Sequence, residues 1–207
     1  MEEQTPEWEV VFEWNSLEHI PVSDSEYFNS LPYYKINNIN DYIHINSVFE
    51  DTEWSLLISS RHLNEVTKID RNTGNIIWRL WWKQSDFKFI NDPLGWFNHQ
   101  HTATVLDNGN ILIYDNWNLH STKQTRVVEY KLDEASKTAS LVWSYQIEWK
   151  FTYATWSAQR LKNGNTFIWW WFDDTNLRMT EVNKNKEKIY DIFTPNNRHI
   201  YRAFKEF

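Results

Sequence analysis

The chain has 207 residues, a formal net charge of −7, 41% hydrophobic and 17% aromatic residues, and no cysteine. That length allows one domain or part of one, and the apolar content is ample for a core. The acidic balance and a pI near 5.5 argue against non-specific nucleic-acid binding, the absence of thiols excludes disulfides, thiol catalysis and Cys-ligated zinc, and no run approaches the ~18 apolar residues of a membrane span.

Read from the N-terminus, residues 1–11 lack the basic and apolar stretches of a secretion signal. Glu9–Trp14 is a strand by its apolar and β-branched content, and Asp24–Leu31 is the one stretch with a hint of helical period. From His44 onward the chain repeats. Glu53-Trp54-Ser55-Leu56-Leu57-Ile58 aligns with Asn108-Gly109-Asn110-Ile111-Leu112-Ile113 and with Asn163-Gly164-Asn165-Thr166-Phe167-Ile168, and the two spacings are equal. A period of about 55 residues is that of stacked or radial units. Each copy contains four short β-branched or aromatic runs separated by Asn, Asp and Gly turns. They are His44–Val48, Ser55–Ser60, Val66–Ile69 and Asn75–Leu80 in the first copy, and His101–Val105, Ile111–Tyr114, Arg126–Tyr130 and Leu141–Tyr145 in the second. The third has Ser157–Leu161, Thr166–Ile168, Thr180–Val182 and Ile189–Ile192.

Four strands per repeat is the blade of a β-propeller, so the expected fold is all-β, a partial propeller of antiparallel blades. Residues 1–40 would hold the end of a preceding blade. Blades would follow at about 41–83, 97–148 and 152–194, with a closing strand in 198–207. A ring needs at least four blades, so the chain is expected to be a fragment lacking N-terminal blades, or to form a homo-oligomer in which another copy completes the ring. A small solenoid or sandwich is the alternative architecture.

Tryptophan usage is anomalous. The chain has 14 Trp and only 4 Gly, against ~7% Gly in a typical domain. Trp54 stands where the other two copies carry the turn glycines Gly109 and Gly164, and such turns favour Gly because it reaches positive φ at no steric cost. Trp and Gly codons differ by one base, and some bacterial lineages read the opal stop codon as Gly. Translating that codon as Trp would give this pattern. The suspects are Trp8, Trp54, Trp81, Trp82, Trp117, Trp156, Trp169 and Trp171, with Trp96 and Trp149 undecided; Trp14, Trp78, Trp143 and Trp170 fit apolar strand positions. A Trp-rich binding surface is the other explanation.

The repeat also aligns chemistry. One period on, His44 matches His99 and Asn46 matches His101, in the first strand of each copy. Residues i and i+2 of a strand share a face, which would pair His44 with Asn46 and His99 with His101, aimed at one axial site. Arg61, in Ser59-Ser60-Arg61-His62, is the one strongly basic group beside this set in sequence, and a guanidinium near imidazoles suits an oxyanion. His99-Gln100-His101 with His44 also has the spacing of a metal site. Each of these residues can equally be an ordinary surface or core group.

These motifs together resemble the aryl sulfotransferase family of β-propellers. The resemblance rests on Asp41 to Val48, Ser59-Ser60-Arg61-His62, Ile69-Asp70, Thr73-Gly74, Ile77-Trp78-Arg79-Leu80 and Ser85-Asp86-Phe87. It continues through Gln100-His101, Tyr114-Asp115-Asn116, Glu129 to Asp133 and Tyr201-Arg202-Ala203. The family usually has Gly-Gly where Trp81-Trp82 stand, Asp-Asn-Gly ending at the Trp117 position, and Gly at Trp156 and Trp169.

The resemblance implies transfer of a sulfuryl group from a phenolic sulfate ester to another phenol. The partners would be small molecules, an aryl sulfate and a phenol, with no cofactor. His101 would be the nucleophile, forming a sulfohistidine, while His44, Asn46 and Arg61 would hold the sulfuryl oxygens and assist proton transfer. The family also implies an extracytoplasmic location. A further family histidine from an earlier blade has no match here. A propeller that binds ligand without turnover, or a His-ligated metal site, is the alternative function.

Overall fold

The computed structural model describes residues 1–29, 35–36, 39–51, 53–81, 83, 85–148, 150–173, 176–195 and 202–205. It is all-β, and its sheets are antiparallel apart from one parallel edge pair. Two short hairpins come first: β1 (Glu2–Gln4) with β2 (Val10–Glu13), and β3 (Lys35–Ile36) with β4 (Ile39–Asn40). Three four-stranded meanders follow, each pairing its strands in chain order. The first contains β5 (Ile45–Glu50), β6 (Ser55–Ser60), β7 (Glu65–Asp70) and β8 (Ile76–Trp81). After β9 (Lys88–Ile90), the second contains β10 (His101–Val105), β11 (Ile111–Asp115), β12 (Arg126–Asp133) and β13 (Thr138–Gln146). The third contains β14 (Ala158–Arg160), β15 (Thr166–Asp173), β16 (Asn176–Val182) and β17 (Lys188–Pro195). β9 adds to the outer edge of the second meander, parallel to β13, making that sheet five-stranded.

The inner strands β6 and β11 are buried on both faces, and strand alternation divides their side chains between two cores. On β11, Ile111 and Ile113 join Leu57, Val66, Trp78, Leu80 and Val128 between the first and second meanders. Leu112 and Tyr114 face the other way, onto Val127, Ile168, Trp169 and Trp170. On β6, Leu57 serves that first core while Leu56 and Ile58 pack on Trp14, Ile20 and Leu63. This explains why β6 and β11 read as unbroken apolar runs rather than as alternating ones. Each such side chain taken fully from water contributes about 1.5–3 kcal/mol. The first strands of the three meanders border a groove of about 580 Å³ lined by Ser47, Thr102, Ala158, Arg160 and Arg202.

The backbone repeats as closely as the sequence. Trp54, Gly109 and Gly164 lie in the left-handed region at φ 59°, 79° and 84°. Their N–H groups donate to Asp51, Leu106 and Leu161 at 3.2, 2.8 and 2.9 Å. One hairpin turn is thus built three times, once with Trp in the glycine slot. Trp8, Trp117 and Trp156 also have positive φ, at 68°, 62° and 94°. The indoles of Trp14, Trp78 and Trp143 donate to Gly74 O, Glu134 Oε1 and Lys184 O. The buried Trp169 Nε1 has no acceptor among the described residues. Trp82 and Trp149 lie outside the described residues.

The strand read at Glu9–Trp14 forms over Val10–Glu13 and pairs with β1 in a hairpin closed over the turn at Trp8. Two expectations change. No α-helix starts at Asp24; Val22–Asp24 form a 3-10 turn that ends at Ser25, and residues 30 and 31 lie outside the described residues. Of the closing strand, 198–201 lie outside the described residues and 202–205 have no strand pairing. The latter segment instead holds side chains of the third meander: Ser157 Oγ donates to Ala203 O, and Lys205 N donates to Gln159 Oε1.

Candidate active site

The site forms where the first strand of each meander begins. His44 and His99 precede β5 and β10, each at φ 50°, and a register shift follows in both strands. That kink breaks the alternation on which the shared face of His44 and Asn46 depended. His44 turns back to Asp41, its Nδ1 bonding Oδ2 of that carboxylate and its backbone N–H donating to Oδ1 at 3.0 Å. Asn46 points instead to the next meander, donating from Nδ2 to Gln100 O at 2.7 Å. His99 and His101 likewise diverge. His99 Nε2 meets Glu26 Oε2 at 2.8 Å and the Tyr27 hydroxyl at 3.2 Å, while His101 Nδ1 meets Asn116 Oδ1 at 2.7 Å.

Arg61 reaches the site through the 3-10 turn Arg61–Leu63 after β6. Its N–H donates to His44 O at 3.0 Å, and the His62 N–H donates to Ile43 O at 3.2 Å. The second meander repeats the latter bond at the equivalent positions, with Trp117 N–H donating to Asn98 O at 3.2 Å. In both meanders the slot after the second strand therefore lies beside the start of the first. Arg61 is 5% exposed; among the described residues it makes no direct ion pair, and its charge helps to lower the Glu26 carboxyl. Nη2 touches Tyr153 O at 3.5 Å, the guanidinium lies 5.3 Å from the Tyr153 ring centre, and Nε has no partner among the described residues. Asn46 Oδ1 is also buried without a donor among the described residues.

Burial controls the titration of the site. It drives His101, 2% exposed, down to about 3, against the Asn116 hydrogen bond and helped by the positive field of Arg61 and His44. His62 falls to about 4, again through burial first, although its hydrogen bond to Asp41 O opposes the shift. Burial alone would raise Asp41 and Glu26. The hydrogen bonds and charges of His44 and His99, respectively, hold them below the ordinary carboxylate range. His101 is thus a neutral imidazole at neutral pH, set in the field of a buried cation.

Four residues of one constellation are thereby brought together: His101, His44 and Arg61 interact electrostatically, and Asn46 bonds the residue preceding His101. The metal set His44, His99 and His101 does not converge, since these rings turn to different partners. Among the described residues, the donors that do converge are Asp41, His44 and His62, within 4.8 Å. They are engaged with one another: His44 Nδ1 with the Asp41 carboxylate and His62 Nδ1 with the Asp41 carbonyl at 2.7 Å.

Sequence reasoning missed Asp41, Glu26, Tyr27, His62 and Asn116. Asp41 had a signal, standing just ahead of His44 in the same turn. Asn116 had a stronger one, occupying in the second copy the position that Arg61 holds in the first. Glu26 and Tyr27 had none, because they come from an irregular segment outside the repeat.

No helix among the described residues is long and apolar enough to cross a membrane. The arylsulfotransferase (ASST) family model matches residues 3–202. Arylsulfate sulfotransferase AssT of Escherichia coli O6:H1 (strain CFT073) is 29% identical over 138 residues, covering 51% of this chain and 23% of the relative. The chain thus spans about a quarter of the length of that curated relative. Among solved structures, a protein of unknown function from Bacteroides caccae aligns at a TM-score of 0.42 and 15% identity, over 72% of this chain and 45% of that one. The match over residues 3–202 covers nearly the whole sequence: the chain belongs to the arylsulfotransferase family.

Proposed function

We propose that this chain supplies three successive propeller blades, at about 41–83, 97–148 and 152–194, of an enzyme that moves a sulfuryl group between phenols through His101. The observation that carries the reading is Arg61, a buried guanidinium that forms no direct ion pair among the described residues and reaches the Glu26 carboxylate only through its field. A buried charge without a directly bonded counter-charge is costly, and a ligand of opposite sign relieves that cost. A sulfate ester brings that charge, and Arg61 Nε supplies a donor for its oxygens. The neutral His101 imidazole is a competent nucleophile.

In this reading a ring nitrogen of His101 attacks sulfur, the S–O bond to the donor phenol breaks, and its electron pair leaves on the phenolate oxygen. His44, oriented by Asp41, gives that oxygen its proton and later takes one from the acceptor phenol. The acceptor oxygen then attacks sulfur and frees the imidazole. The small-molecule partners are an aryl sulfate and a phenol.

We also propose that Trp8, Trp54, Trp117 and Trp156 stand where the encoded residue is Gly. All four have left-handed backbone, which costs a bulky residue about 1–3 kcal/mol. Trp54 also occupies the turn that Gly109 and Gly164 fill in the other repeats. Mass spectrometry of peptides from the source organism tests this; intact Trp54 and Trp117 peptides overturn it.

The activity is tested by nitrophenol release from nitrophenyl sulfate, with and without an acceptor phenol. Acceptor-dependent release lost in His101→Ala supports the assignment. Release that survives His101→Ala overturns it. Tight aryl sulfate binding without turnover points to a binding protein, and activity removed by a chelator and restored by zinc points to a metal site.

A further inference from the structure

Both ring nitrogens of His101 are spoken for, and by groups that leave one tautomer. Asn116, fully buried, presents Oδ1 to Nδ1 at 2.7 Å. The amide orientation of an asparagine is normally ambiguous, but here the other end decides it. The Asn116 Nδ2 side faces Thr152 O at 3.0 Å, Thr152 Oγ1 at 3.3 Å and Thr155 O at 3.4 Å. Carbonyl oxygens only accept, so the NH₂ end must face them and the Oδ1 end must face the ring. Nδ1 therefore carries the proton. On the far side of the ring, Thr155 N–H donates to Nε2 at 3.1 Å. A backbone N–H only donates, so Nε2 carries the lone pair. Two independent contacts assign the same tautomer.

Asn116 is itself held rigidly. Thr152 is buried and is fixed by Thr125, whose Oγ1 accepts from Thr152 N at 2.7 Å, and by the Tyr114 hydroxyl at 3.1 Å. The repeat gives Asn116 the slot of Arg61, the position after the second strand whose neighbourhood to the first strand is fixed by the fold. One meander uses this slot for a cation toward the ligand; the next uses it for an acceptor toward its own histidine.

We propose that Asn116 is the positioning residue of the reaction, holding His101 as the Nδ1–H tautomer so that Nε2 is the atom that attacks sulfur. The catalytic role rests on the sulfuryl-transfer reading above; the tautomer does not. When Nε2 bonds sulfur, the Nδ1 proton stays and the ring becomes a cation, whose N–H bond to Asn116 Oδ1 strengthens. When the acceptor oxygen takes the sulfuryl group, the lone pair returns to Nε2 and the ring is neutral again. The Thr155 N–H must vacate Nε2 first, and its direction marks where sulfur enters.

The test combines ¹⁵N NMR of the histidine rings with kinetics on nitrophenyl sulfate. Wild-type His101, assigned by the signal missing in His101→Gln, is expected as Nδ1–H with an unprotonated Nε2. Asn116→Leu, close in size but without an acceptor, is expected to mix the tautomers. It should lower kcat at least roughly 10–100-fold, the scale for removing the hydrogen-bond partner that orients a metal-bound imidazole, with KM little changed. Asn116→Asp keeps the acceptor, so it should keep the tautomer and move the acid limb of the pH profile upward as the carboxylate makes the ring more basic. If Asn116→Leu fails to fold, the wild-type spectrum and the Asn116→Asp profile decide. An Nε2–H tautomer in the wild type overturns the assignment. So does an Asn116→Leu protein with wild-type tautomer and kcat, or an unmoved Asn116→Asp profile. Turnover surviving His101→Ala would instead sink the sulfuryl-transfer reading and leave the tautomer to the spectrum.

Discussion

The first and second meanders share a backbone and differ in what they place on it. Both start with a histidine at φ 50°, both have a register shift early in the first strand, and both close the slot after the second strand with the same backbone bond. At the two slots that matter, the first meander holds Asn46 and Arg61, and the second holds His101 and Asn116. In the proposed reaction one side of the site would hold the anion and the other would react with it. The division shows how a repeat yields an asymmetric site without changing its scaffold: the hydrogen-bonded frame is duplicated and two side chains are exchanged. In the third meander the same slots hold Trp156 and Trp171, and Trp156 sits at φ 94°, a conformation natural only to glycine. If Trp156 is Gly, that meander contributes space.

The comparison breaks most sharply at the exchanged slots. His101→Ala should abolish turnover, since no other nucleophile is in register, and steady-state release of nitrophenol measures it. Arg61→Ala should lower kcat about 10²–10³-fold, the scale for losing a donor to a developing oxyanion. Equal losses for Arg61→Ala and a substitution outside the site would erase the division of labour between the two meanders.

The scaffold itself should respond alike in both repeats. Ile58 and Ile113 are equivalent positions of β6 and β11, and both are fully buried. Ile58→Ala and Ile113→Ala should each cost about 2–5 kcal/mol in denaturant unfolding. A large inequality would show that the repeat is one of sequence rather than of packing.

Acid should also weaken the fold. His101 and His62 are held neutral in the folded chain, at about 3 and about 4, against an ordinary value of 6.5. Between these limits the unfolded chain binds more protons, so stability is full above about pH 6.5 and falls as pH drops toward 3. The slope is about 1.4 kcal/mol per pH unit for each histidine inside its window. In Asn46→His the first meander would hold a histidine at the slot of His101 and should steepen the loss if the slots are equivalent.

The smallest effect separates the two kinds of tryptophan. Trp54→Gly should stabilise by roughly 1 kcal/mol by relieving left-handed strain at an exposed turn. Trp14→Gly should destabilise, because that indole is buried and donates to Gly74 O.

Much of this frame was legible in the sequence. The constant repeat spacing located all twelve strands of the three meanders, because the apolar runs on β6 and β11 must fill two cores at once. It also brought His101, Asn46, His44 and Arg61 to one place. The period-2 rule failed at His44 and His99, where a positive φ that residue type does not announce turned both rings away from the strand face. Asp41 and Asn116 were readable in principle, one by local spacing and one by the repeat. Glu26 and Tyr27 were not, since an irregular segment carries no period and its contact with His99 spans 73 and 72 residues.

The central claim is that His101 carries the sulfuryl group. Incubation with nitrophenyl sulfate, rapid quenching at neutral or alkaline pH and peptide mass spectrometry test it directly. The expected result is an SO₃ adduct on the peptide containing His101, formed without acceptor and discharged by an added phenol. Turnover with no adduct on that peptide, or an adduct on another residue that persists in His101→Ala, would contradict it.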